Sequence, residues 1–575
     1  MRLQLSRSHV ALLVLIAVAA ITLLFSQGLL AFVGNRTNSQ LSNVIVDENS
    51  HQGTSSWKIP KGREATEQIQ AYASLTSVLP GQRLTFYVST RNEGTPYSIA
   101  IYRLGWYGGS GGRLIASQGY QTGHAQGYYD ASLHSLVKCA SCLVNLQAGL
   151  VEANWQPSYT FTVPSNWTTG IYLAKFTDAM GWQTYTPFDV RGNTYSDYVV
   201  VTADTTYAAY NEWGGYSLYR AYSSIGTGKL GMAVKVSFDR PYLQGDGSGQ
   251  VLYIEADAIH WLERQGYDLS YISSVDLHQD PGQLLQHRAY LSLGHDEYWT
   301  KEMRDGVEHA RDEGLGLAFM GANAVYWQMR FEPDSTGTPD RTIVCYKVGT
   351  AFHDLARDPF YTKDNTRVTA LWRDLVLARP ENALVGIMYS SRTGQWNFPW
   401  QVNPLTKSPL FEGTGLQPGH SYGCAVVGNE WDRIFANGAT PVGLEVLGVS
   451  HIMDVDHKPD TSNTTFYIAS SGAMVFATGS IYWTASLDSY RFFTDKSCIN
   501  QDMVVPGMQK LMAKIMDALV THHALRQLTS MAGYAWDDSE FGPTTQTPMN
   551  NTEIETGIRN GIAACTQYWS NHPQP

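Results

Sequence analysis

The sequence predicts an α/β plus β protein in which an antiparallel β-sandwich precedes a doubly wound α/β domain. From 66 to 192, short runs alternate apolar and polar residues, and Gly, Pro and Asn separate the runs. This period of two is typical of antiparallel sandwich strands. From 193 to 575, wholly apolar runs such as 198–202 and 315–320 alternate with amphipathic segments. Buried parallel strands joined by helices give that pattern, so we predict a doubly wound α/β domain there.

The first 65 residues differ in kind from the rest of the chain. Arg2 and Arg7 precede an uncharged run from 11 to 33, which is the pattern of an export signal or a signal anchor. A polar stretch at 36–65 follows and is typical of a tether. We therefore predict a signal anchor or signal peptide at 1–35. The body of the protein is then expected outside the cytoplasm, either secreted or attached to the membrane through this segment.

The sandwich region contains two motifs that could carry chemistry. Cys139 and Cys142 form a CxxC and can pair with each other, in a chain whose six cysteines allow disulfides. A zinc site would need a second CxxC or a nearby His pair, and neither is present, so disulfides are favoured. The Gly-rich stretch 105–112 does not open a helix, so it is predicted to be a turn rather than a phosphate cradle.

Within the α/β region, several segments have clear signals. A helix is predicted from 301 to 313, with Thr300 as its N-cap and Gly314 as its stop. A second helix at 508–520 has a Met-rich stripe that is predicted to face the core. Residues 207–219 are rich in tyrosine and glycine and are predicted to form a loop after a strand.

Composition narrows the classes of function. Hydrophobic residues make up 43% and charged residues 16% of the chain, which fits a well-packed globular protein. A net charge of −11 with no basic cluster argues against a nucleic acid partner, because phosphate binding needs a basic face. A homo-oligomer of this chain is compatible with the sequence.

Polar side chains concentrate at 294–299, which reads GHDEYW and follows the apolar run 289–293. His295 and Glu297 are two residues apart, so in an extended chain they point to the same side. Asn323 follows the next apolar run. Neighbouring strand ends of a parallel sheet converge, so we expect these three side chains to share one crevice. The alternative is a surface turn whose His and Glu are merely solvated.

Several familiar kinds of catalytic site are absent from the sequence. No GxSxG elbow follows a strand, and no Walker loop or HExxH occurs. The turn at 321–324 holds Asn323 at the place where α/β hydrolases and amidotransferases carry their nucleophile. Thiol or serine chemistry is therefore not expected.

Four motifs, taken together and in order, resemble the large (beta) subunit of N,N-dimethylformamidase over residues about 160 to 490. The motifs are YNEWGGYSLY, LGHDEYW, FMGANAVYW and GNEWDR. The α/β domain of that family is similar to the amidotransferase fold without its thiol nucleophile. The resemblance therefore implies an amidotransferase-like α/β domain over 193–575.

The resemblance also implies a mononuclear iron, as Fe³⁺, held by two tyrosinates and one glutamate. Glu297 would be the carboxylate ligand, Tyr216 of WGGYSLY one phenolate, and Tyr172 of TGIY the second. Phenolates and carboxylates are hard oxygen donors that suit a ferric ion. A metal there would polarise an amide carbonyl and acidify bound water.

The same resemblance implies three active-site residues that are not ligands: His295, Asn323 and Glu430. Glu430 could act as a general base on water and then pass its proton to the leaving amine. His295 and Asn323 could donate hydrogen bonds to the developing oxyanion, which can contribute about 3 kcal/mol for one donor.

The resemblance implies an iron-dependent hydrolase that cleaves the C–N bond of a small linear amide, and the predicted export segment places it outside the cytoplasm. A non-catalytic cell-surface binding protein, for example for carbohydrate, is the alternative, because aromatic residues make up 12% of the chain. A hydrolase of esters or glycans is a third hypothesis, since the same fold can catalyse different reactions. The predicted export segment and the lack of a visible small-subunit partner depart from the family and leave the substrate open.

Overall fold

A computed structural model describes residues 43–192, 195–220, 232–349, 353–393, 397–488 and 504–521. The predicted signal segment at 1–35 lies outside the described residues, so export stays a prediction. Among the described residues, no helix has the length and apolar character needed to cross a bilayer. The described part of the predicted tether is folded: Asn43 caps a short helix, and Ile45 and Trp57 are buried.

The N-terminal region consists of two β-sheets that enclose one apolar cluster. Phe86 comes to this cluster from the first sheet, and Phe176 and Phe188 come from the second. The neighbours in both sheets are antiparallel, apart from one short parallel pair at the edge of the second sheet. The first sheet has the order Ile69–Ala73, Arg83–Thr90, Tyr159–Thr162. The second has the order Ser77–Val78, Gln183–Val190, Gly170–Asp178, Pro96–Leu104, Gly112–Thr122.

Two small hairpins extend from this region. They are Tyr128–Asp130 with Ser135–Val137, and Leu143–Asn145 with Leu150–Glu152. Cys139 and Cys142 lie between them and form a disulfide, as predicted. Cys345 is a buried thiol, whereas Cys498 and Cys565 lie outside the described residues.

A seven-stranded sheet forms the centre of the second region. Its order is Leu269–Ser273, Tyr198–Thr202, Ala289–Gly294, Gly316–Gly321, Met474–Ala477, Pro459–Ile468, Glu445–Met453. The first five strands are parallel to one another, and the last two are antiparallel to their neighbours. Strands as apolar as 198–202 and 316–321 fit this sheet because they are buried on both faces.

Smaller sheets flank the central one. A four-stranded sheet has the order Lys235–Ser237, Thr342–Val344, Trp327–Glu332, Tyr298–Thr300. The remaining strands pair as Met388–Arg392 with Glu430–Arg433, and as Phe398–Gln401 with Ser421–Val427.

Helices pack on both faces of the central sheet. Ala256–Arg264 and Pro506–Val520 contribute to the apolar cluster on one face, and Ser274–Gln279 and Lys301–Asp312 contribute to the cluster on the other. The other α-helices of the described residues are Val44–Asn49, Asp204–Tyr210 and Asn382–Val385. The architecture is thus α/β plus β, as the sequence predicts, while the amidotransferase-like arrangement remains a prediction.

Local sequence patterns predict helix ends and buried helix faces correctly where the side chains themselves determine them. Thr300 accepts a hydrogen bond from the Met303 amide at 3.1 Å, which confirms it as the N-cap. The Met-rich stripe of Pro506–Val520 is buried, which confirms it as core. The predicted loop at 207–219 is wrong at its start, because Asp204–Tyr210 is a helix whose first six residues are buried. Tertiary burial decides the conformation of that segment.

Candidate active site

Two neighbouring strands end at the same level and bring the predicted site residues together. Ala289–Gly294 and Gly316–Gly321 are parallel, and Gly294 lies opposite Gly321 in the register. A Cβ on Gly321 would stand 1.8 Å from the carbonyl oxygen of Gly294, so only glycine fits there. The chain segments that leave these strands carry His295 and Glu297 on one side and Asn323 on the other.

Asp296, for which no role is predicted from the sequence, stabilises the turn. Its carboxylate accepts hydrogen bonds from the indole of Trp299 at 2.8 Å and from the hydroxyl of Ser292 at 2.9 Å. Its carbonyl oxygen accepts from the Val325 amide at 2.9 Å. Burial raises the pKa of Asp296 to about 6. These bonds hold the turn to its own strand and to the next strand end.

Backbone strain marks the segments that carry the site. Asn323 and Val325 have positive φ angles of 55° and 56°, and Asn429, directly before Glu430, has 63°. Positive φ is rare for a β-branched residue such as Val325, so its surroundings must enforce it. One such restraint is the Asn323 amide, which donates to the Asp432 carboxylate at 2.7 Å.

His295, Asn323, Glu297 and Glu430 form one polar cluster, in which the first three are buried and Glu430 is partly exposed to the cavity. Nε2 of His295 lies 3.3 Å from Oε2 of Glu297 and 3.4 Å from Oε2 of Glu430. Nδ2 of Asn323 donates to Oε2 of Glu430 at 2.8 Å. The structure therefore brings together four of the six residues that the sequence assigns to the site.

Electrostatics favour an imidazolium at His295. Burial lowers its pKa, but the two carboxylates outweigh that effect and raise it to about 10. Burial raises the pKa of Glu297, but the proximity of His295 outweighs it, so the net pKa is below its usual value. The cluster thus holds a cation between two carboxylates.

Two tyrosines that the sequence did not single out complete this group. The Tyr219 hydroxyl donates a hydrogen bond to Oε1 of Glu297. The ring of Tyr210 lies 4.5 Å from that of Tyr219 and 5.1 Å from that of His295, measured between centroids. Burial, together with the charge of Glu297, raises the pKa of both phenols well above its usual value. Two phenol oxygens and one carboxylate therefore converge.

The structure does not bring Tyr216 or Tyr172 to this group. Tyr216 is buried in an apolar cluster with Tyr129 and Trp213, because Gly214 and Gly215, both with positive φ, turn the chain before it. Tyr219, three residues later, takes the place beside Glu297.

Tyr172 is buried in the cluster between the two N-terminal sheets. Its ring stacks on Trp167 at 5.1 Å, and its hydroxyl donates to the carbonyl oxygen of Thr168 at 2.7 Å. The Tyr172 hydroxyl is therefore hydrogen-bonded within the N-terminal region and does not reach Glu297.

Lys347 is a buried cation directly behind the site. Its ammonium lies 3.2 Å from the ring centroid of Tyr219 and 5.0 Å from that of Trp327. Burial lowers its pKa to about 8, although Glu297 opposes that shift. Its Nζ has no hydrogen-bond partner in the part of the chain that the structure describes. No sequence motif marks this residue.

A cavity of about 530 Å³ opens onto this group. Aromatic and charged side chains dominate its wall. The aromatic ones are Tyr210, Tyr219, Tyr326, Trp327 and Tyr389. The charged ones are Glu212, Arg220, Glu297, Arg392 and Glu430.

The oxygen atoms at this cavity determine which metal ion it could bind. Within the described ranges, no cluster of three or more His, Cys, Asp or Glu side chains could hold one. Phenols offer a different set, since Tyr210, Tyr219 and Glu297 present three oxygen donors. Oε2 of Glu297 is buried, and among the described residues its contact is the ion pair with Nε2 of His295 at 3.3 Å, which does not have the geometry of a hydrogen bond. Hard anionic oxygens of this kind suit a ferric ion, so the residues present fit iron.

Two curated proteins that are similar to this chain are both named N,N-dimethylformamidase beta subunit. The N,N-dimethylformamidase beta subunit of Alcaligenes sp is 22% identical over 404 residues, which cover 59% of this chain and 52% of that protein. The subunit of Paracoccus aminophilus is 22% identical over 424 residues, which cover 63% and 55%. The chain thus spans about half the length of these curated relatives.

The chain also matches a solved structure and a protein family. A Paenibacillus sp. cycloisomaltooligosaccharide glucanotransferase is 12% identical and covers 52% of this chain and 35% of its own, but a TM-score of 0.14 carries no argument. The family described as N,N-dimethylformamidase beta subunit-like, C-terminal, matches residues 98–500. That match covers most of the chain, including the whole central sheet and every residue of the cluster at the cavity, and the protein therefore belongs to this family.

Proposed function

We propose that the protein is an amide hydrolase whose iron is held by Tyr210, Tyr219 and Glu297. The observation that carries the proposal is the convergence of two phenols and a buried carboxylate on a cavity that Asn323 and Glu430 also line. The names of the relatives support amide hydrolysis at the level of the family. Tyr219 and Tyr210 replace Tyr216 and Tyr172, which the motif resemblance had implied.

Iron bound there would supply a Lewis acid for an amide carbonyl and for water. The residues of the chain would provide the proton transfers. Glu430 lines the cavity and is fixed by Asn323, so it is placed to take a proton from attacking water and to return it to the leaving amine. The products are then a carboxylic acid and an amine.

The roles of His295 and Asn323 differ from those expected of two oxyanion donors. Nδ2 of Asn323 donates a hydrogen bond to Glu430, which makes Asn323 a positioning residue for the base. His295 is buried between the two carboxylates and is not part of the cavity wall. We assign it to holding both carboxylates and to supplying a positive charge near the developing negative charge.

The alternative of a non-catalytic binding protein gains no support from this arrangement. A buried cluster of one cation and two carboxylates is costly to maintain, and a carbohydrate platform does not need one. Attachment to a membrane and export remain predictions from the sequence.

The test is to purify the protein and measure its iron content and its visible spectrum. We expect stoichiometric iron and a phenolate-to-iron charge-transfer band. Glu297→Gln should lose the iron while the far-UV circular dichroism is unchanged, and Tyr219→Phe should lose or shift the band. A colourless, iron-free protein with intact fold would refute the proposal.

Tyr216→Phe and Tyr172→Phe are matched controls, because each removes one phenol that the structure keeps away from the cavity. Both should retain the iron and the band. Loss of the band in either variant would return the ligand assignment to the one that the motifs implied.

A further inference from the structure

We propose that Arg392 forms an anion subsite in this cavity, so that the amide which is hydrolysed carries a carboxylate. The inference rests on the proposed function for the cleaved bond. It goes beyond that function in naming the class of substrate.

The backbone places Arg392 beside the proposed base. Met388–Arg392 and Glu430–Arg433 pair in antiparallel fashion, and Arg392 lies opposite Glu430. Residues opposite each other in such a pair project from the same face of the sheet. Both side chains accordingly line the cavity. An anion bound by Arg392 would therefore lie in the same space as the amide group.

The guanidinium of Arg392 is not used by the described part of the protein. It is exposed and makes no ion pair within 4.0 Å among those residues, and Glu430 instead contacts His295 and Asn323. The other arginine of the wall, Arg220, already lies 3.4 Å from Glu212. Arg392 is thus the guanidinium that remains available to a ligand.

The carboxylate of the proposed base has contacts that do not involve Arg392. Oε2 of Glu430 lies 3.4 Å from Nε2 of His295 and accepts a hydrogen bond from Nδ2 of Asn323. Arg392 therefore brings to the cavity wall a guanidinium with no ion-pair partner among the described residues. Guanidinium groups bind carboxylates in a bidentate geometry, which makes a carboxylate a fitting partner.

The size and the wall of the cavity agree with a substrate larger than a simple formamide. A volume of about 530 Å³ lies in the range that holds drug-sized ligands. Tyr326 and Tyr389 form an aromatic pair in the wall, with ring centroids 5.0 Å apart. An amide with an apolar or aromatic group and a carboxylate would use the polar cluster, this pair and Arg392 together.

The test compares two amides that differ in one charge. An N-formyl amino acid with an aromatic side chain carries the carboxylate, and its carboxamide is the neutral counterpart. With the iron-loaded protein, we expect a higher kcat/KM for the carboxylate. Arg392→Gln should lower that value about tenfold, which is the effect of losing one charge-assisted contact, and should remove the preference. Arg392→Lys should restore part of it.

Arg357→Gln is the matched control, because Arg357 is exposed and outside the cavity. It should keep the wild-type preference. The proposal is overturned if the wild type does not prefer the carboxylate, or if Arg392→Gln lowers kcat/KM equally for both amides.

Failure of the proposed function would look different, since neither amide would then be hydrolysed. In that case equilibrium dialysis of the same N-formyl amino acid tests the subsite directly. Weaker binding to Arg392→Gln than to the wild type supports the anion subsite, and equal binding refutes it.

Discussion

Lys347 shows how a side chain that does not bind the proposed iron can still tune the site by contacting one of its ligands. Its ammonium faces the ring of Tyr219, whose hydroxyl is bonded to Glu297. A cation over an aromatic face is attracted to it, and more strongly where water is excluded. If Tyr219 binds iron as a phenolate, the ammonium also stabilises its negative charge. The positive φ of Lys347, 51°, indicates that the backbone is strained to place it there.

Lys347→Met keeps the length of the side chain and removes the charge. We expect iron affinity to fall about tenfold to a hundredfold, the usual cost of losing a group that supports a metal ligand. The charge-transfer band should also shift in energy. Iron affinity can be measured by competition with a chelator of known strength.

Lys458→Met serves as the control because Lys458 is exposed. It should bind iron like the wild type. If Lys347→Met also binds iron with unchanged affinity, the cation has no influence on the ligand set.

The site residues that follow strand ends could be predicted from the sequence, whereas the phenols could not, because a glycine-containing turn places them. His295, Glu297 and Asn323 follow strand ends, where the period of the strand and the parallel register determine their positions. The phenols depend on a turn with two glycines at positive φ, and such a turn can rotate any of several nearby tyrosines toward the site.

At the scale of elements, the contact between two strand ends positions the site. Gly321 leaves room for the carbonyl oxygen of Gly294, and the Ala322 amide donates to that same oxygen at 3.2 Å. This contact fixes the distance between the turn that carries Glu297 and the segment that carries Asn323.

Gly321→Ala should therefore impair both stability and activity. The added methyl group would collide with a backbone oxygen that cannot move away alone, and overpacking of this kind costs about 1–3 kcal/mol or more. We expect a lower midpoint of urea unfolding. We also expect a lower kcat under native conditions, where the variant is still folded. Gly119→Ala is the matched control, since Gly119 lies in a strand and a Cβ there meets no atom within 4 Å.

That control should leave the unfolding midpoint nearly unchanged. Equal midpoints for Gly321→Ala and Gly119→Ala would show that the strand ends are not in tight contact.

Elements with strong local signals were predictable, while arrangements that depend on distant contacts were not. The helix Lys301–Asp312 has its cap and its stop within the sequence, and the predicted bounds agree to one residue. The helix Asp204–Tyr210 lacks a side-chain cap and is stabilised by burial, which no local pattern reveals. The order of the seven strands depends on pairing between residues far apart in the chain.

At the scale of the whole molecule, a group of buried acids links the N-terminal sheets to the central sheet. Asp189 is the next-to-last residue of a strand of the N-terminal region, and Thr202 is the last residue of a strand of the central sheet. The Thr202 hydroxyl lies 2.6 Å from the Asp189 carboxylate and 2.7 Å from the Asp204 carboxylate. A hydroxyl has one proton to donate, so one of the two acids must itself carry a proton in this arrangement.

The pKa values of these acids agree with that requirement. Burial raises the pKa of Asp189 well above its usual value and that of Asp204 to about 7. Glu255 is next to them: it accepts a hydrogen bond from the Tyr207 hydroxyl, and burial raises its pKa to about 8. The folded protein therefore holds protons that the unfolded chain releases near pH 4, at the ordinary pKa of about 4 for carboxyl groups.

Stability should consequently fall as the pH rises through this range. A carboxyl group whose pKa is raised by folding stabilises the protein below its unfolded pKa, and this contribution is lost as pH rises through the folded value of about 8 for Glu255. Glu255→Gln remains neutral at every pH and keeps an oxygen for Tyr207. We therefore expect the loss of unfolding free energy between about pH 5 and about pH 8.5 to be smaller in this variant by a few kcal/mol, since each pKa unit corresponds to about 1.4 kcal/mol. Urea unfolding at both pH values measures the difference. The exposed Glu412, changed to Gln, should leave the pH dependence as in the wild type, and a Glu255→Gln variant with that same dependence would show that Glu255 is already ionised in the folded protein.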